Sequence, residues 1–199
     1  MTQKALLVTE TGSPLIESSR PIPEPKEGQI QVKLTVAGLN PHDAKAQYYG
    51  LFVQNRLPST LAVDVVGAVS AIGPNVSKFG IGDKTDYAAK VPEGINDNEA
   101  ATLALNPLTA FWALFREDGA GIPPPAPFYG RKSGYDYSRL SLVVIGGGSA
   151  IGKYAIEWAK YAGFGTIITT ASKSKREKEL LEHGATHVLD RHAQDEELD

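Results

Sequence analysis

No cysteine occurs among the 199 residues, so the chain can form no disulfide, no thiolate zinc site and no cysteine nucleophile. Basic residues do not dominate either. Lys and Arg number 20 against 23 Asp and Glu, a net charge of −3, which argues against a generally basic nucleic-acid binder. No apolar run approaches the ~18 residues of a membrane span, and the opening MTQKALLVTE lacks the apolar core of a secretory signal. These absences predict a cytoplasmic protein with neither a membrane nor a nucleic-acid partner. What is present is ordinary for a globular chain: 42% hydrophobic and 22% charged residues, enough apolar material for a real core. At about 150 residues per domain, the length suits one large domain or two small ones.

The first part reads as β. KALLVTE (4–10), GQIQVKLTVAGLN (28–40) and LAVDVVGAVSAIG (61–73) are apolar and β-branched, bounded by turn residues. PIPEPKEG (21–28) is an extended connector, and Gly67 inside the third run suggests a bend or bulge. The character changes after Val91. Asn96 precedes Glu99 by three residues, the spacing of a capping box, and helical periodicity follows from about Glu99 with Pro107 as a break or restart. Residues 116–139, rich in Pro and Gly, form a linker. Beyond it a strand (142–145), a helix (150–162), a strand (166–170), a helix (176–183) and a strand (187–189) alternate. That βαβαβ order predicts an α/β fold with a parallel sheet.

The segment VVIGGGSAIGKYAIEWAKYAG (143–163) joins the first strand to the first helix through three consecutive glycines. A strand that ends in glycine and opens a helix is the phosphate-binding turn of a dinucleotide fold. In the pattern G-x-G-x-x-G the slots fall on Gly147, Ser149 and Gly152, so the middle glycine is replaced. Gly147 is expected to permit the tight turn, Gly152 to allow close approach of helix and sheet, and the amides of Gly148, Ser149, Ala150 and Ile151 to face a pyrophosphate. Ile151, Tyr154, Ala155, Trp158, Ala159 and Ala162 share one helical face and are expected to form its buried stripe. A plain strand–helix turn without a ligand is the alternative.

An NAD site places Asp or Glu at the end of the second strand, about 20 residues after the first glycine. Here that region reads TIITTASKSKREK (166–178), with no acid until Glu177. Ser172, Lys173, Ser174, Lys175 and Arg176 stand there instead, and hydroxyls with cations suit a 2′-phosphate. NADP is therefore the expected cofactor. The alternative is a solvated basic face, although cations at a helix N-terminus oppose its dipole.

TVAGLNPHDAK, LAVDVVGAVSAIGPNVSKFGIGDK, VPEGINDNEAATLALNPLTAFWALF and the glycine segment with GATHVLDR occur in this order. Together they resemble the medium-chain dehydrogenase/reductase superfamily, most closely its zinc-independent quinone oxidoreductase and fungal trans-acting enoyl reductase branch. The resemblance implies an α/β architecture: an incomplete GroES-like β-barrel (1–95), then a partial, doubly wound Rossmann parallel sheet (96–199), with the active site between them. It implies hydride transfer from NADPH to an activated alkene (an enoyl thioester) or a quinone, without zinc. Asn40 holds the slot of the family's zinc-binding cysteine, and Val63 and Asp64 that of its His-Glu pair. A metal would need His42, Asp43 and Asp64, a poor ligand set, so no metal is expected. A polyketide synthase is an open partner, and so is a second copy of the chain.

Under that resemblance Asn40 donates to the developing enolate oxygen; equally, it caps a turn before Pro41. Tyr48 or Tyr49 supplies a proton or lines the pocket, or simply packs at the surface. Thr109 matches a position that contacts nicotinamide, or is a helix-interior Thr bonded to its own backbone. His42 reads as a loop residue. GGGSAIG lacks the second glycine of a nucleophile elbow and the Gly-Lys-Ser/Thr of a P-loop, which disfavours a hydrolase and an NTPase. Several barrel strands expected between GIGDK and VPEGI are missing, and the sequence stops soon after the third Rossmann strand. Three readings stay open: a reductase, a truncated non-catalytic remnant, and an accessory nucleotide-binding module of a larger reductase assembly.

Overall fold

The first part of the chain builds strands β1 (Thr2–Val8), β2 (Ile16–Pro21) and β3 (Ile30–Gly38) in a computed structural model that describes residues 1–86, 89–126, 128 and 134–192. The chain divides into two units, Met1–Leu105 and Asn106–Asp199. In the first unit, helix α1 (Pro41–Tyr49) follows β3, and β4 (Ser59–Thr60), β5 (Asp64–Ile72), β6 (Lys84–Asp86) and β7 (Ala89–Lys90) complete the described strands. They form an antiparallel sheet in the order β2-β1-β4 and another in the order β3-β5-β6-β7. β2 was not foreseen: IESSRP is too polar to stand out, and its pairing with β1 creates it. Gly67 faces Leu34 beside a register shift between Leu34 and Val36, so the bulge lies on the partner strand. β6 pairs with β7, Thr85 opposite Lys90 and Asp86 opposite Ala89, where longer barrel segments were expected; residues 87 and 88 lie outside the described residues.

A buried carboxyl group ties this unit together. Asp64, only 1% exposed at the start of β5, accepts the Asn40 side-chain amide (2.8 Å) on one oxygen and the Leu105 backbone N–H (2.9 Å) on the other. Beside it Asp43, also buried, accepts the backbone N–H of Asn40 (2.7 Å) and of Ala62 (2.9 Å). Buried polar atoms persist only when they are so paired. Helix α2 (Asp97–Ala100) starts at the Asn96–Glu99 capping box, and its Ala100 packs with Ala101 against Val66.

The second unit holds the larger core. Helix α3 (Leu105–Phe115) keeps Pro107 in its first turn, where a missing N–H costs nothing. β8 (Ser141–Ile145), α4 (Ala150–Ala162), β9 (Thr166–Ala171), α5 (Lys173–His183) and β10 (His187–Asp190) follow in βαβαβ order. The sheet is parallel, in the order β10-β9-β8. Part of the linker (residue 127 and residues 129–133) and the last residues (193–199) lie outside the described residues. Of the rest, Tyr137 packs on Phe164 and donates to the Pro123 carbonyl at 2.7 Å. The buried face of α4 differs from the expected stripe. Gly152, Ile156 and Ala159 are buried, whereas Ile151 is exposed and Trp158 half-buried against Phe111 and Phe128. The helix is rotated toward Ile156 because Gly152 must face the turn.

Asp64→Ala would remove the buried acceptor of two half-buried donors, a loss of about 0.5–1.5 kcal/mol for each bond and more where the bond is to a charged group. We expect a clear fall in the urea midpoint, larger than for Asp64→Asn, which keeps one acceptor. Equal midpoints for Asp64→Ala and the unaltered chain would refute this role.

Candidate functional site

At the carboxyl end of β8 the chain turns sharply, and Gly146 supplies the turn with φ +80°. That corrects the role expected of Gly147. Gly147 is instead a packing position: a Cβ there would collide with the Thr169 hydroxyl. Gly152 is the second such position. A Cβ on it would lie 2.5 Å from the Gly146 carbonyl oxygen and 2.7 Å from the Gly147 Cα. The close approach is thus of α4 to the turn backbone itself.

Hydrogen bonds then fix the turn. Gly146 N–H donates to the Thr170 hydroxyl (3.1 Å) and Gly147 N–H to the Thr170 carbonyl (3.1 Å). Ser149, in the slot of the middle glycine, caps α4: its hydroxyl accepts the Gly152 N–H (3.1 Å) and donates to the Gly146 carbonyl (2.9 Å). The N–H groups of Gly148, Ala150 and Ile151 have no partner among the described residues. Those of Ala150 and Ile151 are first-turn donors that a helix offers to an anion, and that of Gly148 precedes the cap beside them. These donors suit a ligand pyrophosphate, and a Cβ on Gly148 would meet only ordinary van der Waals contacts.

The second strand delivers the cations to the same place. The nearest atoms to a Cβ built on Gly148 are Arg176 Cγ (3.9 Å) and Ala171 Cβ (4.0 Å). Ser172 is the N-cap of α5, and α5 starts at Lys173, so Lys173, Lys175 and Arg176 all lie in its first turn. Two of the three are already engaged. Lys173 pairs with Glu177 at 3.7 Å and Arg176 with Glu179 at 2.7 Å. Glu179 also pairs with Lys153 of α4. Lys175 is exposed and has no ion-pair partner among the described residues. Hydrogen bonds from Lys153 and then Arg176 lower the Glu179 pKa from 4.5 to about 2.

Sequence reasoning missed Asp190. It ends β10 and accepts the Lys173 backbone N–H at 3.0 Å and the His192 backbone N–H at 2.9 Å. These two bonds, His192 first, lower its pKa, so it stays ionised at neutral pH. Its distance of 17 residues from Lys173 hid it from any local pattern.

The other expected site residues lie on α1 and α3 or at the start of α1. Asn40 is the N-cap of α1, half-buried, with one amide proton committed to Asp64. Tyr48 and Tyr49, 57% and 74% exposed, sit at the end of α1. Thr109 is half-buried on α3. His42 approaches Asp43 at 3.5 Å, but among the described residues no three His, Cys, Asp or Glu groups could hold a metal ion.

Residues 26–101 match the family model of the alcohol dehydrogenase GroES-like domain. A zinc-type alcohol dehydrogenase-like protein of Staphylococcus aureus is 31% identical over 188 residues, 84% of this chain and 52% of that protein. A trans-enoyl reductase of Fusarium mangiferae is 27% identical over 215 residues, 83% of this chain and 55% of that protein. The chain thus spans about half the length of the curated relatives it matches. Among solved structures, a quinone oxidoreductase from Coxiella burnetii superposes with a TM-score of 0.77 at 26% identity, covering 100% of this chain and 65% of that one. A mycobacterial protein complexed with NADPH gives 0.71 at 28% identity, covering 94% and 58%.

Gly147→Val and Gly152→Val are expected to abolish binding of a dinucleotide, whereas Gly148→Ala, whose added carbon meets only ordinary contacts, should leave the fold intact. Thermal melts alongside a fluorescence titration check both; tight binding by a folded Gly152→Val variant would show that this turn is not the site. For Glu179 the folded pKa lies below the ordinary value. Its contribution to stability is complete above about pH 4.5 and fades as pH falls toward about 2. Glu179→Gln should therefore be less stable at neutral pH and match the unaltered chain near the acid end, with salt narrowing the gap. A pH-independent difference in urea midpoints would contradict the pairing.

Proposed function

Because the chain belongs to the medium-chain dehydrogenase/reductase superfamily, we propose that it binds NADPH and serves a zinc-independent reductase acting on an activated alkene or a quinone. The observation that carries this reading is the convergence of the glycine turn with the acid-free, cationic start of α5, where Arg176 lies against Gly148. When bound, NADPH supplies a hydride to an electron-poor carbon of the substrate. The chain's own residues have simpler tasks. The amides of Gly148, Ala150 and Ile151 take the pyrophosphate, and Ser172, Lys175 and Arg176 take the 2′-phosphate. Lys173 adds positive charge nearby.

Likeness to a trans-enoyl reductase supports an enoyl thioester substrate, and likeness to a quinone oxidoreductase supports a quinone. A carrier-bound thioester would make a polyketide synthase the partner. Zinc independence rests on the absent cysteines and on Asp64, whose two oxygens already receive N–H donors. One observation favours a second reading, a nucleotide-binding module without turnover. Asn40, the candidate donor to a developing oxyanion, already gives an amide proton to Asp64.

Titration of NADPH and NADH by nicotinamide fluorescence tests the reading. NADPH should bind more tightly. Replacing Lys173, Lys175 and Arg176 with Ala removes charge-assisted bonds of about 1.5–3 kcal/mol, so NADPH should weaken roughly ten- to hundredfold and NADH hardly at all. Equal losses for the two cofactors, or binding of neither, would refute it. NADPH consumption with an enoyl thioester against a quinone separates the two substrates, and binding without consumption of either selects the second reading.

A further inference from the structure

The missing acid of the second strand is supplied from the third. β10 runs parallel to β9 with Asp190 in register with Ala171, and the Arg191 N–H donates to the Ala171 carbonyl at 2.8 Å. Ala171 and Arg176 are also the neighbours of Gly148. Asp190 thus stands at the same carboxyl end of the sheet as the glycine turn, with β9 between them. Its carboxylate has taken the first backbone N–H of α5, that of Lys173, and the Ser172 side chain makes no capping bond. An internal anion therefore occupies one of the donors that a 2′-phosphate would otherwise use. Of the cations beside it, Lys173 faces Glu177 and Arg176 faces Glu179, which leaves Lys175 and the adjoining Arg191 to act against that charge.

We propose that Asp190 is a specificity-setting residue that narrows the preference for NADPH over NADH, by placing a fixed negative charge beside the 2′-phosphate and withholding an α5 amide from it. The inference rests on the dinucleotide reading above. A phosphate dianion meets like-charge repulsion there, whereas the 2′-hydroxyl of NADH carries no charge to repel. Asp190 acts on selectivity and not on the hydride step, because it lies at the adenosine end of the site.

Asp190→Asn tests this on the full chain, since the amide oxygen can still accept the Lys173 N–H while the charge is gone. NADPH and NADH are titrated by nicotinamide fluorescence at low and high salt. Removing one like charge at short range should tighten NADPH roughly three- to tenfold and leave NADH within about twofold, with the gain shrinking as salt rises. Asp190→Ser, which retains a capping oxygen, repeats the measurement if the Asn variant melts early. An unchanged NADPH-to-NADH ratio, or a parallel change for both cofactors, overturns the role of Asp190 and leaves the dinucleotide site standing. Failure of both cofactors to bind the unaltered chain removes the dinucleotide reading and this inference with it.

Discussion

The close approach of α4 to the turn that precedes it is the constraint on which the second unit depends. Gly152 sits against the backbone of Gly146 and Gly147, leaving no room for a side chain. Once that contact is made, the face of α4 that meets the sheet is settled, and Ile156 and Ala159 become its fully buried residues. The first-turn amides of Ala150 and Ile151 are left without partners among the described residues. Burial of apolar area and presentation of anion-binding donors are thus two results of one steric condition. Gly147 contributes from the other side, letting the Thr169 hydroxyl turn back to the Val144 carbonyl at 2.8 Å.

Asp64 plays the corresponding part in the first unit through polarity instead of size. Its slot is filled in zinc-containing relatives by a ligand residue, according to the resemblance set out above. Here the carboxyl group joins the start of β5 to the N-cap of α1 and to Leu105. A residue position that can carry chemistry has become a structural tie, and Asn40 is drawn into that tie. The opposite holds in the second unit, where the turn keeps its donors unspent.

How much of this was legible in the sequence depended on how local each determinant is. The bounds of α4, 150–162, were read correctly because Ser149 caps its start and Gly163 ends it in the left-handed region at φ +93°. The parallel βαβαβ order followed from apolar runs separated by amphipathic ones. The Asn96–Glu99 box marked α2 for the same local reason. The buried face of α4 was misjudged, because counting apolar residues gave Ile151 the weight that the turn gives to Gly152 and Ile156. β2 and the two-residue strands β4 and β7 exist only through their partners. Asp190 belongs to the same class: nothing near it in the chain announces that it caps a helix begun on the strand beside it.

β8 has β9 on one side and no strand on the other among the described residues, and its Val143 and Ile145 are 57% and 77% exposed. Successive amides of a strand point alternately to its two sides. Along this one strand, then, every second N–H is locked to β9 and the next faces outward. In deuterated solvent neighbouring residues of β8 should take up label at very different rates, an alternating record of a strand that is half inside a sheet. Any chain that docked along that side would erase the alternation without changing the fold, which makes β8 a built-in reporter of what lies next to it.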